Sequence, residues 1–117
     1  MKLPFRERAY VAPSKVADYL LSQTHPVGRW KAKVFRAAGF DETNVSELEE
    51  ALLSLVRSQD VSGVERSAHG TKYVVEGEIG TPSGRRLTLR TVWIIESGTQ
   101  APRLVTAYAL QPGQEET

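Results

Sequence analysis

His25 and Lys31 stand six positions apart in the stretch HPVGRWKAKVF, His25 to Phe35. Histidine is the side chain whose ordinary pKa lets it give or take a proton near neutrality. Lysine brings a cation. Pro26 and Gly28 break the chain between them, and a helix is expected to follow from about Arg29 to Ala38. The first backbone N–H groups of such a helix favour an anion. An imidazole on the approach, a glycine turn, free amides and a lysine form a site for a phosphate or another oxyanion. His25 can equally be a turn residue that caps the next helix or packs on Pro26.

The helix constrains its own side chains. At about 100° per residue, Trp30, Val34, Ala38 and Phe35 fall on one arc, and Lys31 falls inside it. Arg29, Lys33 and Arg36 lie on the opposite, polar side. Lys33 then reads as an ordinary surface lysine. Lys31 must snorkel, pair with an acid such as Glu76 or Glu78, or project into a cleft. Trp30 reads as core before it reads as a stacking platform.

Three helices are expected. PSKVADYLLSQ carries Val16, Tyr19 and Leu20 at helical spacing, with Ser14 as a cap. The HPVG helix is the second, with Gly39 as its terminator. The third begins near TNVSELEE, where Asn44 with Glu47 or Ser46 with Glu49 can form a capping box. Its apolar stripe is Leu48, Ala51, Leu52, Leu55 and Val56.

From Val61 the apolar period changes to two. VSGVERSA, TKYVVEGEIGT, RRLTLRTVWIIE and RLVTAYAL read as strands, with a hairpin turn at PSG. In the third, Leu87, Leu89, Thr91, Trp93 and Ile95 form the better core face, which leaves Arg90 on the other. In the last, the inward face is open. If the small residues pack under the helices, Thr106 and Tyr108 join Arg90. If not, they are core residues whose hydroxyls need partners. The expectation is an α+β domain over residues 1–111, with three N-terminal helices packed on a three- to four-stranded antiparallel sheet, and a tail over 112–117.

Composition sets outer limits. The chain has 117 residues, 40% of them hydrophobic and 25% charged, which suits one ordinary globular domain. No apolar run approaches the ~20 residues that span a bilayer. There is no leader-like apolar segment and no cysteine, which removes disulfides and thiolate chemistry and fits the cytoplasm. Two histidines are too few for a His-rich metal site, and no cofactor motif is present. The net charge of +1 conceals a segregation. Residues 1–40 hold eight Lys/Arg against two acids, and residues 41–60 hold six acids against one arginine. A cationic patch beside an anionic helix can attract an anionic ligand such as RNA.

YLL…HPVGRWKAKVF…G followed by RTVWII…PRLVTAY resembles an uncharacterised bacterial domain family. Domains with its His-Pro-x-Gly-x-x-Lys-Ala-x-x-Phe pattern occur at the C-termini of polymorphic toxins. The resemblance runs from about Leu3 to Leu110. The order of helices before sheet is also similar to the barnase–EndoU–colicin–RelE group of small metal-independent ribonucleases. The resemblance implies His25, Gly28, Lys31 and Phe35 as signature positions, with Trp93, Thr106 and Tyr108 from the strands. It implies a bacterial toxin that cleaves RNA, and a cognate antitoxin or immunity protein as partner. For that chemistry His25, Lys31, Thr106 and Tyr108 are the catalytic candidates. Arg29, Lys33 and Arg90 are the nucleic-acid-binding candidates. The second acid–base group stays open among Glu76, Tyr108 and His69. The alternative is a non-catalytic protein-binding or structural module of the same fold.

Overall fold

The chain is described by a computed structural model over residues 1–16, 20–21 and 29–110, with the side chains of 13 and 29–31 excepted. The elements are a 3-10 turn at Arg6–Arg8, α1 at Pro13–Lys15, α2 at Arg29–Ala37 and α3 at Val45–Ser58. The strands follow as β1 Val61–Ser67, β2 Gly70–Gly80, β3 Arg86–Glu96 and β4 Arg103–Ala109. They form one antiparallel sheet in the order β1-β2-β3-β4. The α+β class and the four-stranded antiparallel sheet are as expected.

The helices are fewer than expected. Among the described residues only α2 and α3 exceed a single turn. The first is helical at Pro13–Lys15, and the Lys15 amide donates to Ala12 O at 2.8 Å. The turn therefore starts at Pro13, and Ser14 lies inside it instead of capping it. Further on, the Leu21 amide donates to Val16 O at 2.9 Å, five residues back. That wider closure suits the side chains, because Val16, Leu20 and Leu21 are all fully buried. Tyr19 lies outside the described residues.

α2 buries Ala32, Phe35 and Ala38, so its core face is turned towards Ala32 relative to the expected arc. Gly39 ends it. Its φ of +101° is a conformation that glycine tolerates, and the Phe40 amide donates to Phe35 O at 3.1 Å. The two phenyl rings meet edge to face at 6.4 Å.

α3 buries Leu48, Leu52, Leu53, Leu55 and Val56. Asn44 holds its N-cap position, but neither expected capping box forms there. Instead Asn44 Oδ1 accepts from the Asp41 amide and Nδ2 donates to Gly39 O, each at 2.8 Å. The amide side chain ties the α2–α3 loop together, and that use competes with capping.

Both helices sit on one side of the sheet. α3 lies against β2, and α2 lies against β4. Gly77 permits the first approach, since a Cβ there would meet Gln59 Cγ at 2.8 Å. Val75, Ile79, Leu87, Leu89, Trp93, Leu104 and Ala107 form the sheet's share of the core. The N-terminal segment crosses beneath, pairing at Lys2 with Asp60 and at Tyr10 with Arg103, and it buries Leu3 and Val11. No helix among the described residues is long and apolar enough to cross a membrane.

Candidate functional site

The site is decided by which way β3 and β4 turn their side chains. On β3, Leu87, Leu89, Thr91 and Trp93 point into the core, as the alternation predicts, while Ile95, expected with them, is only half-buried and Ile94 beside it is buried. Thr91 interrupts that apolar row without penalty. Its hydroxyl donates to Val75 O at 2.7 Å and accepts from Trp93 Nε1 at 2.8 Å, so two buried polar groups satisfy each other.

β4 carries a bulge. Val92 pairs with Thr106 but Trp93 pairs with Leu104, which leaves Val105 as an extra residue. The bulge restarts the alternation. Leu104 and Ala107 are both buried, and Ala109 packs against the core. The small residues therefore lie under the helices, and Thr106 and Tyr108 emerge on the outer face beside Arg90. Of the two faces left open by the sequence, this is the one adopted.

On that outer face Glu76, Arg90 and Tyr108 form one row across three strands. Arg90 Nε donates to Glu76 Oε2 at 2.5 Å, and Arg90 Nη1 donates to Tyr108 Oη at 3.2 Å. The guanidinium also lies over the Tyr108 ring, 5.9 Å from its centroid. Hydrogen bonding to Glu76, then to Tyr108, raises the Arg90 pKa above its ordinary value. The row borders an open concavity of about 530 Å³ that Ser62, Gly63, Val74 and Val92 help to line. The next row is Val74, Val92 and Thr106. Thr106 Oγ1 is buried and has no hydrogen-bond partner among the described residues.

Residues 2–111 match the family model described as a domain of unknown function, DUF6883. The chain belongs to this family. Among curated proteins none matches. Among solved structures, the fold is similar to a chain of the contact-dependent growth inhibition toxin–immunity protein complex from Klebsiella pneumoniae 342, with a TM-score of 0.71. The match covers 92% of this chain and 97% of that one at 13% identity, so the likeness is one of fold.

The remaining candidates fall elsewhere in this DUF6883 domain. His25 and Gly28 lie outside the described residues. Arg29 and Lys31 occupy the first turn of α2, and their side chains are not described. Lys33 is exposed on α2, on the helix side of the sheet, at the rim of a cleft with Arg85. His69 stands in the turn between β1 and β2, where its carbonyl accepts from the Ser97 amide at 3.0 Å. Among the described residues no group of three or more His, Asp or Glu gathers as a metal site.

Sequence reasoning placed Glu76 among the acids but did not pair it with Arg90. The signal was present. Folding the chain symmetrically about Ser83 in the PSG turn brings 76 opposite 90 and 78 opposite 88, which is the observed register. The same face carries further cross-strand pairs. Glu78 accepts from Arg86 at 2.8 Å, and Glu96 from Arg103 at 3.1 Å, while Glu65 stands opposite Lys72.

Proposed function

We propose that this domain is a bacterial toxin module that cleaves RNA without a metal, with the outer sheet face as its working surface. The observation that carries the reading is the Glu76–Arg90–Tyr108 row with the unpaired Thr106 hydroxyl beside it. A guanidinium held by a carboxylate is a pre-organised partner for a phosphodiester. Likeness in fold to a chain of a toxin–immunity complex supports a module of the toxin or immunity type, of which the toxin is taken here.

In this reading His25 takes the 2′-OH proton, and the 2′ oxygen attacks phosphorus. The bond from phosphorus to the 5′ oxygen breaks, and that oxygen leaves with a proton from Tyr108. A 2′,3′-cyclic phosphate and a 5′-hydroxyl end result. Lys31 and Arg90 offset the charge that builds on the phosphoryl oxygens, and Thr106 donates a hydrogen bond to one of them. Arg29 holds a flanking phosphate, whereas Lys33 stands on the helix side of the sheet, away from this face. A cognate immunity protein, bound over the same face, keeps the producing cell alive.

The test is induced expression of wild type, His25→Ala and Arg90→Ala, with purified protein incubated with total RNA in chelator. Wild type should stop growth and degrade RNA. His25→Ala should lose about 10²–10⁴ of the cleavage rate, and Arg90→Ala about 10²–10³. Harmless wild type that leaves RNA intact would end this reading.

One observation favours a second reading, a non-catalytic protein-binding module. The outer face balances Lys72, Arg86, Arg90 and Arg103 against Glu65, Glu76, Glu78 and Glu96. A face whose cations are already countered suits a protein partner of mixed charge better than a polyanion. Under this reading, expression is harmless and Arg90→Ala alters complex formation only.

A further inference from the structure

One aromatic side chain stands out where the N-terminal segment joins the sheet. Tyr10 is 45% exposed, while Ala9 and Val11 on either side of it are buried. Its backbone is fixed. The Tyr10 amide donates to Pro102 O at 3.0 Å, and its carbonyl accepts from the Leu104 amide at 3.1 Å, which bridges it in parallel to Arg103. Bridged residues turn their side chains to the same face of a sheet. Leu104 is buried, so Arg103 points to the outer face, and Tyr10 points with it.

Guanidinium groups stand on both sides of this residue. Arg103 is next to it across the bridge and is held by Glu96 at 3.1 Å. Arg8 is exposed two residues back, beyond the buried Ala9, and its Nη1 donates to Gln100 Oε1 at 3.0 Å. That partner is a neutral amide, so the contact orients the guanidinium and leaves its charge for a ligand. Residues 1–40 lean the same way, with eight Lys/Arg against two acids.

An aromatic ring set among cations distinguishes the kinds of ligand. A protein contact centres on contiguous apolar area ringed by polar groups. A nucleotide offers a flat base to the ring and phosphates to the guanidiniums around it. Arg103 lies opposite Ile94 and Tyr108 opposite Arg90, so along the strands Tyr10 is about 13 Å from the Glu76–Arg90–Tyr108 row. A strand that places one phosphate at Arg90 runs on across the same face towards Tyr10.

We infer that Tyr10 is a stacking seat for an unpaired base of single-stranded RNA, with Arg8 and Arg103 meeting phosphates beside it. The inference rests on the reading of the outer face as an RNA surface and adds the form of RNA, since a base must be free of a duplex to lie on this ring.

The experiment follows the fluorescence anisotropy of a labelled 2′-O-methyl hexa-adenylate titrated with the full chain. The methyl group blocks the attacking hydroxyl, so binding is read whether or not the domain cleaves RNA. Wild type should bind saturably. Tyr10→Ala should bind about tenfold more weakly or worse, and Tyr10→Phe should bind as wild type does, because stacking needs the ring and not the hydroxyl. Tyr10→Leu should behave as Tyr10→Ala. Arg8→Gln should reduce the slope of log affinity against log salt by about 0.7, whereas Tyr10→Ala should leave that slope unchanged. Unchanged circular dichroism establishes that each variant keeps the fold. Tyr10→Ala at wild-type affinity overturns the inference, as does Tyr10→Leu at the affinity of Tyr10→Phe, or Arg8→Gln with the wild-type slope. A wild type that does not bind the oligomer also overturns it and gives the patch to a protein partner. Saturable binding without cleavage of unmodified RNA ends the cleavage reading alone. Cleavage of RNA by a chain whose Tyr10→Ala variant binds as tightly as wild type ends this inference alone.

Discussion

Thr91 and Thr106 lie on adjacent strands and face opposite ways. Thr91 is fully buried in the core, where its hydroxyl both donates and accepts. Thr106 carries the same hydroxyl on the outer face, shielded from water and without a partner among the described residues. The comparison separates two purposes of one sheet. The inner face is closed at this position, since the Thr91 hydroxyl and the Trp93 indole N–H complement each other. The outer face is left incomplete at a particular atom, next to a guanidinium already oriented by Glu76. Polar groups left unsatisfied cost stability, so they mark places where something other than stability is served.

Deleting Ala107 breaks the comparison most strongly. Without it Leu104, Val105, Thr106, Tyr108 and Ala109 alternate with no bulge, which turns Thr106 into the place that Ala107 fills under the helices. We expect a loss of about 3 kcal/mol or more, read as a fall in the urea midpoint, because an unpartnered hydroxyl then enters a packed core. Deleting Val105 is the control: Leu104 and Thr106 become neighbours, the alternation runs unbroken, and both faces keep their residues.

Exchanging each threonine for valine sharpens the same contrast. Thr91→Val removes the acceptor of Trp93 Nε1 and should cost about 2 kcal/mol through the indole N–H left buried and unpaired. Thr106→Val removes an unpaired hydroxyl and should change stability by less than about 1 kcal/mol, in either direction. Function should move in reverse order, with growth arrest weakened by Thr106→Val and kept, per folded molecule, by Thr91→Val. Equal stability losses would mean the two hydroxyls are not different in kind.

The smallest effect belongs to an exposed carboxylate of the N-terminal crossing. Hydrogen bonding and attraction from Lys2 hold the Asp60 pKa below its ordinary 3.8. A lowered folded pKa gives stability that is present above the unfolded value and is lost as pH falls through the folded one. Asp60→Asn should therefore flatten the acid limb of a stability–pH curve slightly and leave the neutral region nearly unchanged. A steeper acid limb would contradict the pairing.

How far this architecture can be read from residues alone depends on what each residue answers to. The inward set of β3 was legible because Leu87, Leu89, Thr91 and Trp93 keep an unbroken period of two. Gly39 was legible because a terminator after an amphipathic run has one common cause, a left-handed turn. β4 was ambiguous for a physical reason. Its core-facing residues are Leu104, Ala107 and Ala109, spaced three and then two, and such a break in period signals a bulge only when the partner strand is known. Asn44 misled because a capping residue has several backbone partners within reach, and here the Gly39 carbonyl and the Asp41 amide take its side chain. The first helix was overestimated because apolar spacing does not separate an α turn from a wider one. Of the site, Arg90, Tyr108 and Thr106 do share a face, while the proposed meeting of His25 with Lys31 falls outside the described residues and side chains.

The tip of the β2–β3 hairpin leans on the end of α2. The Ser83 amide donates to Ala38 O at 3.0 Å, and a methyl group at Gly39 would stand 2.9 Å from Pro82 Cβ. Thr81 and Pro82 of that tip also wall a hollow shared with Glu47 and Glu50 of α3. The bare α-carbon at position 39 therefore sets the shape of that hollow, since anything bulkier there must displace the tip that walls it.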